Sequence, residues 1–197
     1  MNINKYILLL IFSVSLLAND TLSVDVKKST LHWIGKKVSG EHDGNVSIKE
    51  GFVVLKKGEI ENAEIIVDMN SITVLDIDSP KWNQSLVDHL KDDDFFGVDS
   101  FPTATIKIKS SKKYKSKLNP QYNRVLDGVI SIKGIEEPIA IRSNFSLDDS
   151  GSYRAIGLTE IDRTKFGIHY KSKSIFPDIG DKFIYDNFIL EFDIYTK

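Results

Sequence analysis

The chain has 197 residues, a formal net charge of −2 and no cysteine. Disulfides, thiolate metal sites and a lipidated cysteine are thereby excluded, and so small a net charge offers no field to draw nucleic acid. The length suits one domain that buries its own core.

Taken in order, Lys5 precedes an apolar run, Tyr6 to Leu17, that ends at Ala18-Asn19. The run is too short for a comfortable membrane span and has the form of a secretory signal peptide. Residues 1–18 are therefore predicted to be a cleaved leader, and 19–197 a single exported domain. Leu22, Val24 and Val26 alternate with polar residues as a strand does, and Thr30–Val38 is a second strand carrying Trp33. Ser39–Gly44 reads as a turn. Asn45–Leu55 resumes the β pattern, and Gly51 within it marks a bulge or bend of the kind closed barrels need. Lys56–Gly58 turns the chain into Ile60–Met69.

Ser79–Ile106 interrupts this pattern. Ser79 suits a helix cap and Pro80 the first helical position. Trp82, Leu86 and Leu90 recur every fourth residue as one apolar stripe. Asp92–Asp94 oppose the negative end of a helix dipole, so the helix is predicted to end near Lys91. Phe95-Phe96-Gly97 and Phe101-Pro102 follow. A short helix with clustered aromatics in a strand-rich chain reads as a lid or plug on a sheet. Ala104–Lys109, Arg124–Lys133, Ile139–Leu147, Tyr153–Ile161 and Lys182–Lys197 are further strands, with Gly134–Pro138 a loop and Asp162–Asp181 irregular. About eight strands with short turns predict an all-β antiparallel barrel, just wide enough to be filled by side chains or to hold one small ligand.

Four stretches carry a family resemblance. They are His42-Asp43-Gly44 leading to Phe52, Leu86–Phe96 with Phe101-Pro102-Thr103-Ala104-Thr105, Gly128–Gly134, and Arg163–Ile168 with Ile179-Gly180-Asp181 after it. Together they resemble the YceI-like family of lipocalin-like, polyisoprenoid-binding periplasmic proteins over nearly the whole mature chain. Ile106, Lys165 and Val129–Ser131 depart from the family pattern. The resemblance implies an extended antiparallel barrel with a helix, near 80–91, across one opening. It also implies a long-chain apolar ligand (a polyisoprenoid, an isoprenoid quinone or a fatty-acid derivative) carried or stored in the barrel interior, with no cofactor.

Burial of one methylene contributes roughly 0.8 kcal/mol, so a five-carbon isoprene unit contributes about 4 kcal/mol at most. Trp33, Phe52, Phe95, Phe96, Ile130, Ile132, Phe145, Phe166 and Phe192 are the candidates for the cavity wall. Strand parity tells which of them share a face, not which face is interior. His42, Arg163 and Asp181 are the polar candidates for the mouth, with an Arg163–Asp181 ion pair tying down a long loop as the structural alternative.

An enzyme acting on a lipid-like ester or amide, with His42 or His89 as general base, is the competing reading. Ser85 and His89 share a helix face, but no Gly-x-Ser-x-Gly elbow exists. His32, His42, His89 and His169 show no metal-ligand spacing, and Asp76-Ile-Asp78 starts like a calcium loop but has Lys81 where glycine is required. A third reading is a docking module for a membrane redox partner. The Lys-rich stretch Lys107–Lys117 reads as the solvated part of a hairpin or as a contact to an anionic membrane surface. A pairing of two copies stays open.

Overall fold

The computed structural model describes residues 19–197, so the predicted leader at Met1–Ala18 lies outside the described residues. The strands are β1 (Asp20–Ser23), β2 (Thr30–Lys37), β3 (Gly40–Lys56), β4 (Glu59–Asp68), β5 (Thr103–Lys113), β6 (Arg124–Ile132), β7 (Ile135–Leu147), β8 (Tyr153–Asp162) and β9 (Ile184–Tyr195). One helix, α1 (Pro80–Lys91), interrupts them. All pairings between these strands are antiparallel. β2 to β9 close into an eight-stranded barrel through the β3–β4 pairing. The predicted barrel and helix are both present.

β3 makes the closure possible. One edge of it pairs with β4 over Ser47–Lys56. Its other edge pairs with β2 over Gly40–Val46 and then with β1 over Phe52–Leu55. β1 and β2 thus share one lane between β3 and β9, and Val24 bridges to Thr196 at the junction. A bulge between Ile48 and Glu50 bends β3 beside Gly51. The extra residue also reverses parity. Before the bulge Val46 and Ile48 point inward; after it Val53 and Leu55 do, and both are buried.

Two predicted loops are tighter than the sequence suggested. Val38 and Ser39 alone turn β2 into β3, so His42-Asp43-Gly44 lies on a strand. Lys133 and Gly134 both take positive φ, 51° and 75°. That is the two-residue hairpin turn matching strand twist, and β7 begins directly after it at Ile135.

α1 starts after Ser79 with Pro80 first and stops at Asp92, as its sequence dictates. Its buried face is not the expected stripe. Val87 and Leu90 are buried and Leu86 is half-buried, whereas Trp82 is 63% exposed. Asn83 fixes the helix instead, donating from Nδ2 to the carbonyls of Val74 (2.9 Å) and Ile77 (3.1 Å). At the opposite end the barrel is plugged by Phe145, stacked on Tyr153 with ring centroids 5.4 Å apart. Asn123 holds the Phe145 backbone there through both side-chain amide atoms.

After β4 the chain passes through a single 3-10 turn and continues along β3. Thr73 N–H donates to Asn45 O and Leu75 N–H to Asp43 O, each at 2.9 Å. Gly44 permits this approach. A Cβ at residue 44 would overlap the Thr73 carbonyl and press on the Trp33 ring. That carbonyl also accepts from Trp33 Nε1 at 3.2 Å. Gly44→Ala is expected to lower unfolding free energy by about 1–3 kcal/mol through overpacking, read as a reduced urea midpoint with unchanged m-value.

Candidate ligand-binding cavity

Inward residues of the barrel leave two voids on its axis. The larger, about 120 Å³, lies under α1. Its wall takes Leu31, Trp33 and Gly35 from β2, Val46 from β3, Ile106 from β5, Ile130 and Ile132 from β6, and Phe188 and Leu190 from β9. Leu90, Phe95 and Phe96 close it from the helix side. The second, about 70 Å³, lies toward the Phe145 plug and is lined by Val53, Ile60, Ile65, Leu126, Ile141, Phe192 and Ile194 among others. Leu31, Ile106 and Leu190 line both, forming a waist. An apolar void of about 150 Å³ stays dry and accepts a small hydrocarbon, and the larger cavity is of that order.

Six of the candidate wall residues line these voids: Trp33, Phe95, Phe96, Ile130 and Ile132 the first, Phe192 the second. Three do not. Phe52 lies just past the bulge, on the outward parity, and is 38% exposed beside Val24 and Val26. Phe145 is buried as the far plug, beyond both voids. Phe166 is almost fully buried in the 3-10 turn Arg163–Phe166, as core. Sequence reasoning passed over Met69, Ile72, Ile161, Ile184 and Phe188, which also form the first wall. For Phe188 the signal was visible, since it shares the β9 face of Leu190 and Phe192.

Arg163 is the charged residue in the wall of the first cavity. Its side chain is buried and is held by backbone carbonyls: Nη1 donates to Ile168 O at 2.9 Å, Nη2 to Ile184 O at 3.1 Å and Nε to Tyr185 O at 3.2 Å. Asp181 is not its partner. It is exposed on the loop before β9, while Asp186 lies 3.6 Å from Arg163 Nη2. Burial pushes the Arg163 pKa below its ordinary value, against the opposing pull of Asp186 and Asp162. Burial also acts to raise the Asp186 carboxyl, but Ser172, Ser174 and the Arg163 charge more than offset it, leaving it below the usual carboxylate range. Arg163 thus ties the segment after β8 to the start of β9.

His42 stands on the inward face of β3 opposite Gly35, and it lines neither void. Its Nδ1 lies 2.7 Å from Asp76 Oδ2 and its Nε2 lies 2.7 Å from Lys37 Nζ. Asp76 Oδ1 also accepts from Asp43 N–H at 3.1 Å. Burial raises the Asp76 carboxyl, yet the hydrogen bonds from His42 and Asp43 win and hold it below its ordinary value. His89 is occupied differently. Its ring packs edge-on between Phe95 (4.9 Å) and Tyr170 (4.6 Å), securing the helix to the segment after β8. Ser85 is exposed, and no hydrogen bond joins it to His89 among the described residues. Nor does any group of three or more His, Asp and Glu side chains among the described residues form a metal site.

Comparison with known proteins agrees with this architecture. The chain matches the YceI-like domain family over residues 22–196. No protein with a curated description matches it. Among solved structures, BcnA of Burkholderia cenocepacia superposes with a TM-score of 0.68 at 17% identity, covering 88% of this chain and 99% of that one. A polyisoprenoid binding domain from Saccharophagus degradans, implicated in plant cell wall breakdown, gives 0.62 at 10% identity over 89% and 97%. The YCEI protein of Campylobacter jejuni gives 0.53 at 17% identity over 76% and 82%. At these identities the structures speak for the fold.

Two outcomes follow from the site. Arg163→Met leaves three carbonyls and Asp186 without their cation and is expected to lower unfolding free energy by about 3 kcal/mol, with amide exchange rising over residues 163–186. Asp76, held below its unfolded value, adds stability that is present above the ordinary carboxylate pKa and is lost as pH falls through the folded value. Urea titrations of wild type and Asp76→Asn should therefore differ near neutral pH and converge in acid.

Proposed function

This chain belongs to the YceI-like family, and from that premise we propose that it binds a long-chain apolar molecule, with the chain threaded along the barrel axis. The observation that carries this reading is the pair of apolar voids meeting at Leu31, Ile106 and Leu190. A close-packed interior leaves few voids larger than a water molecule. Here they fall in line, and aromatic rings from the helix segment cover one end. The polyisoprenoid binding domain with the same fold supports an isoprenoid as the ligand class.

The protein acts as a carrier or store and not as a catalyst. His42 and His89, the histidines an enzyme reading would use, are each engaged, in the Lys37–Asp76 chain and in the Phe95–Tyr170 stack. We further propose export to the periplasm through cleavage of the leader after Ala18, on the apolar run that follows Lys5. An intact mass from the periplasmic fraction that begins at Asn19 supports export; a full-length mass in the cytoplasm refutes it.

Organic extraction of the purified protein followed by mass spectrometry is expected to release a prenyl or fatty-acyl chain. Repeated extraction without any lipid, together with no binding of added prenols, would remove the reading. Ile106→Trp, which fills the waist, is expected to leave a ten-carbon prenol bound with little change and to weaken a twenty-carbon prenol by roughly tenfold or more, since each excluded methylene forfeits about 0.8 kcal/mol. Calorimetric titration of the two chain lengths checks this.

A further inference from the structure

We propose that the helix end of the barrel docks on the surface of an anionic bilayer, so that a greasy ligand passes between membrane and cavity without crossing water. The docking surface is carried by the outside of the protein alone; the passage of a ligand rests on the cavity reading above.

Single exposed apolar residues are ordinary, but a group of them marks a contact surface. Three segments bring such a group to the β2–β3 hairpin. Val38 forms the hairpin turn. Leu75 N–H donates to Asp43 O on β3, and Asn83 holds the start of α1, with Trp82, against the same segment. On the other side Ile184 of β9 pairs with Lys37, and its N–H donates to Lys171 O at 2.9 Å. Phe176 N–H donates to Ser172 O at 2.9 Å, which keeps Ile175 and Phe176 close by, and Tyr185 follows Ile184. Each of Val38, Leu75, Trp82, Ile175, Phe176 and Tyr185 is at least 43% exposed. Ile184 and Tyr185 also line the void under α1, so the exposed group adjoins the cavity wall.

The charges beside this group select the occupant. From Arg163 to Pro177 the chain carries Lys165, Lys171 and Lys173 and no acid. Lys165 pairs with Glu137 at 4.0 Å, and Arg163 with Asp186 at 3.6 Å. Lys171 and Lys173 form no ion pair within 4.0 Å among the described residues. Their ammonium groups lie over the rings of Tyr170 (5.2 Å) and Phe183 (4.8 Å). Asp178 and Asp181 come later, in the 3-10 turn Pro177–Lys182. Lysine is depleted from protein–protein interfaces, whereas an anionic lipid surface attracts it. Trp and Tyr collect at the boundary of water and membrane, where the apolar body of each ring is covered and its polar edge stays wet. Two unspent lysines among exposed aromatic and aliphatic side chains therefore match a bilayer with anionic lipid. No helix among the described residues is long and apolar enough to cross a membrane, so α1 and the loop before β9 lie against its surface.

Flotation with protein-free vesicles tests this, using phosphatidylcholine alone and an equal mixture of phosphatidylcholine and phosphatidylglycerol. Wild type is expected to bind the mixed vesicles roughly tenfold or more tightly than the neutral ones, the worth of two lysines near an anionic surface. Lys171→Gln with Lys173→Gln should remove that difference. Trp82→Ser with Phe176→Ser should weaken binding to the mixed vesicles by roughly tenfold or more. Phe52→Ser, in the cleft beside Val24 and Val26, should change neither. Thermal melts and affinity for the prenol farnesol should be alike in all four proteins, since none of the substituted residues lines an axial void. Failure of wild type to float with either composition would overturn the docking, point the exposed group to a protein partner and leave the cavity reading standing. Flotation that survives Trp82→Ser with Phe176→Ser, that Phe52→Ser weakens as much, or that keeps its preference for mixed vesicles in the lysine variant would also overturn it. A wild type that floats but binds no farnesol would overturn the passage of a ligand together with the cavity reading.

Discussion

Alternate residues of eight strands point at one axis, and the rest of the molecule follows from keeping that axis free of polar atoms. Side chains along a strand alternate with period two, so each strand contributes an inward row and an outward row. In a barrel of this size the inward rows either meet or leave a narrow void. Here they are built mainly of Ile, Leu and Val, which stop short of filling the middle above and below the waist at Leu31, Ile106 and Leu190. Aromatics also close the two ends. Phe95 and Phe96 close one from the helix side, and Phe145 on Tyr153 closes the other.

Charged groups are then kept to the boundary, and the hydroxyls of Thr159 and Ser143 are polar exceptions within. Arg163 enters the wall only because three backbone carbonyls and Asp186 receive it. A buried guanidinium without such partners would be strongly destabilising. Lys37, His42 and Asp76 form one continuous chain of hydrogen bonds. It ties the β2–β3 hairpin to the segment that follows β4. That segment reaches its place because residue 44 is glycine, which lets the Thr73 carbonyl lie against β3.

Much of this was legible in the residues. Alternation from Leu22 to Ile194 announced the strands, and Ser79-Pro80 with Asp92–Asp94 bracketed the helix to within a residue. Four motifs pointed to the family that the match over residues 22–196 bears out. What the sequence hid was parity after an irregularity. Phe52 looks like an inward residue until the bulge between Ile48 and Glu50 is known, because one added residue moves every later side chain to the other face. Trp82 was misplaced for a related reason. Spacing defines a helix stripe but not which stripe packs, and Asn83 decided that through Val74 and Ile77. Pairings between residues far apart in the chain, such as Arg163 with Asp186 and His42 with Asp76, leave no local pattern at all.

The central claim is that a hydrocarbon chain lies inside the barrel and not against its outer face, where Phe52, Val24 and Val26 offer an apolar alternative. A crystal structure of the wild-type protein with a terminally brominated alkyl acid, phased on bromine, tests it most directly. The account predicts an anomalous peak within the barrel, among Leu31, Ile106 and Leu190 or beyond them toward Phe192. A peak confined to the outer cleft beside Phe52, with the two axial voids unchanged, would contradict it.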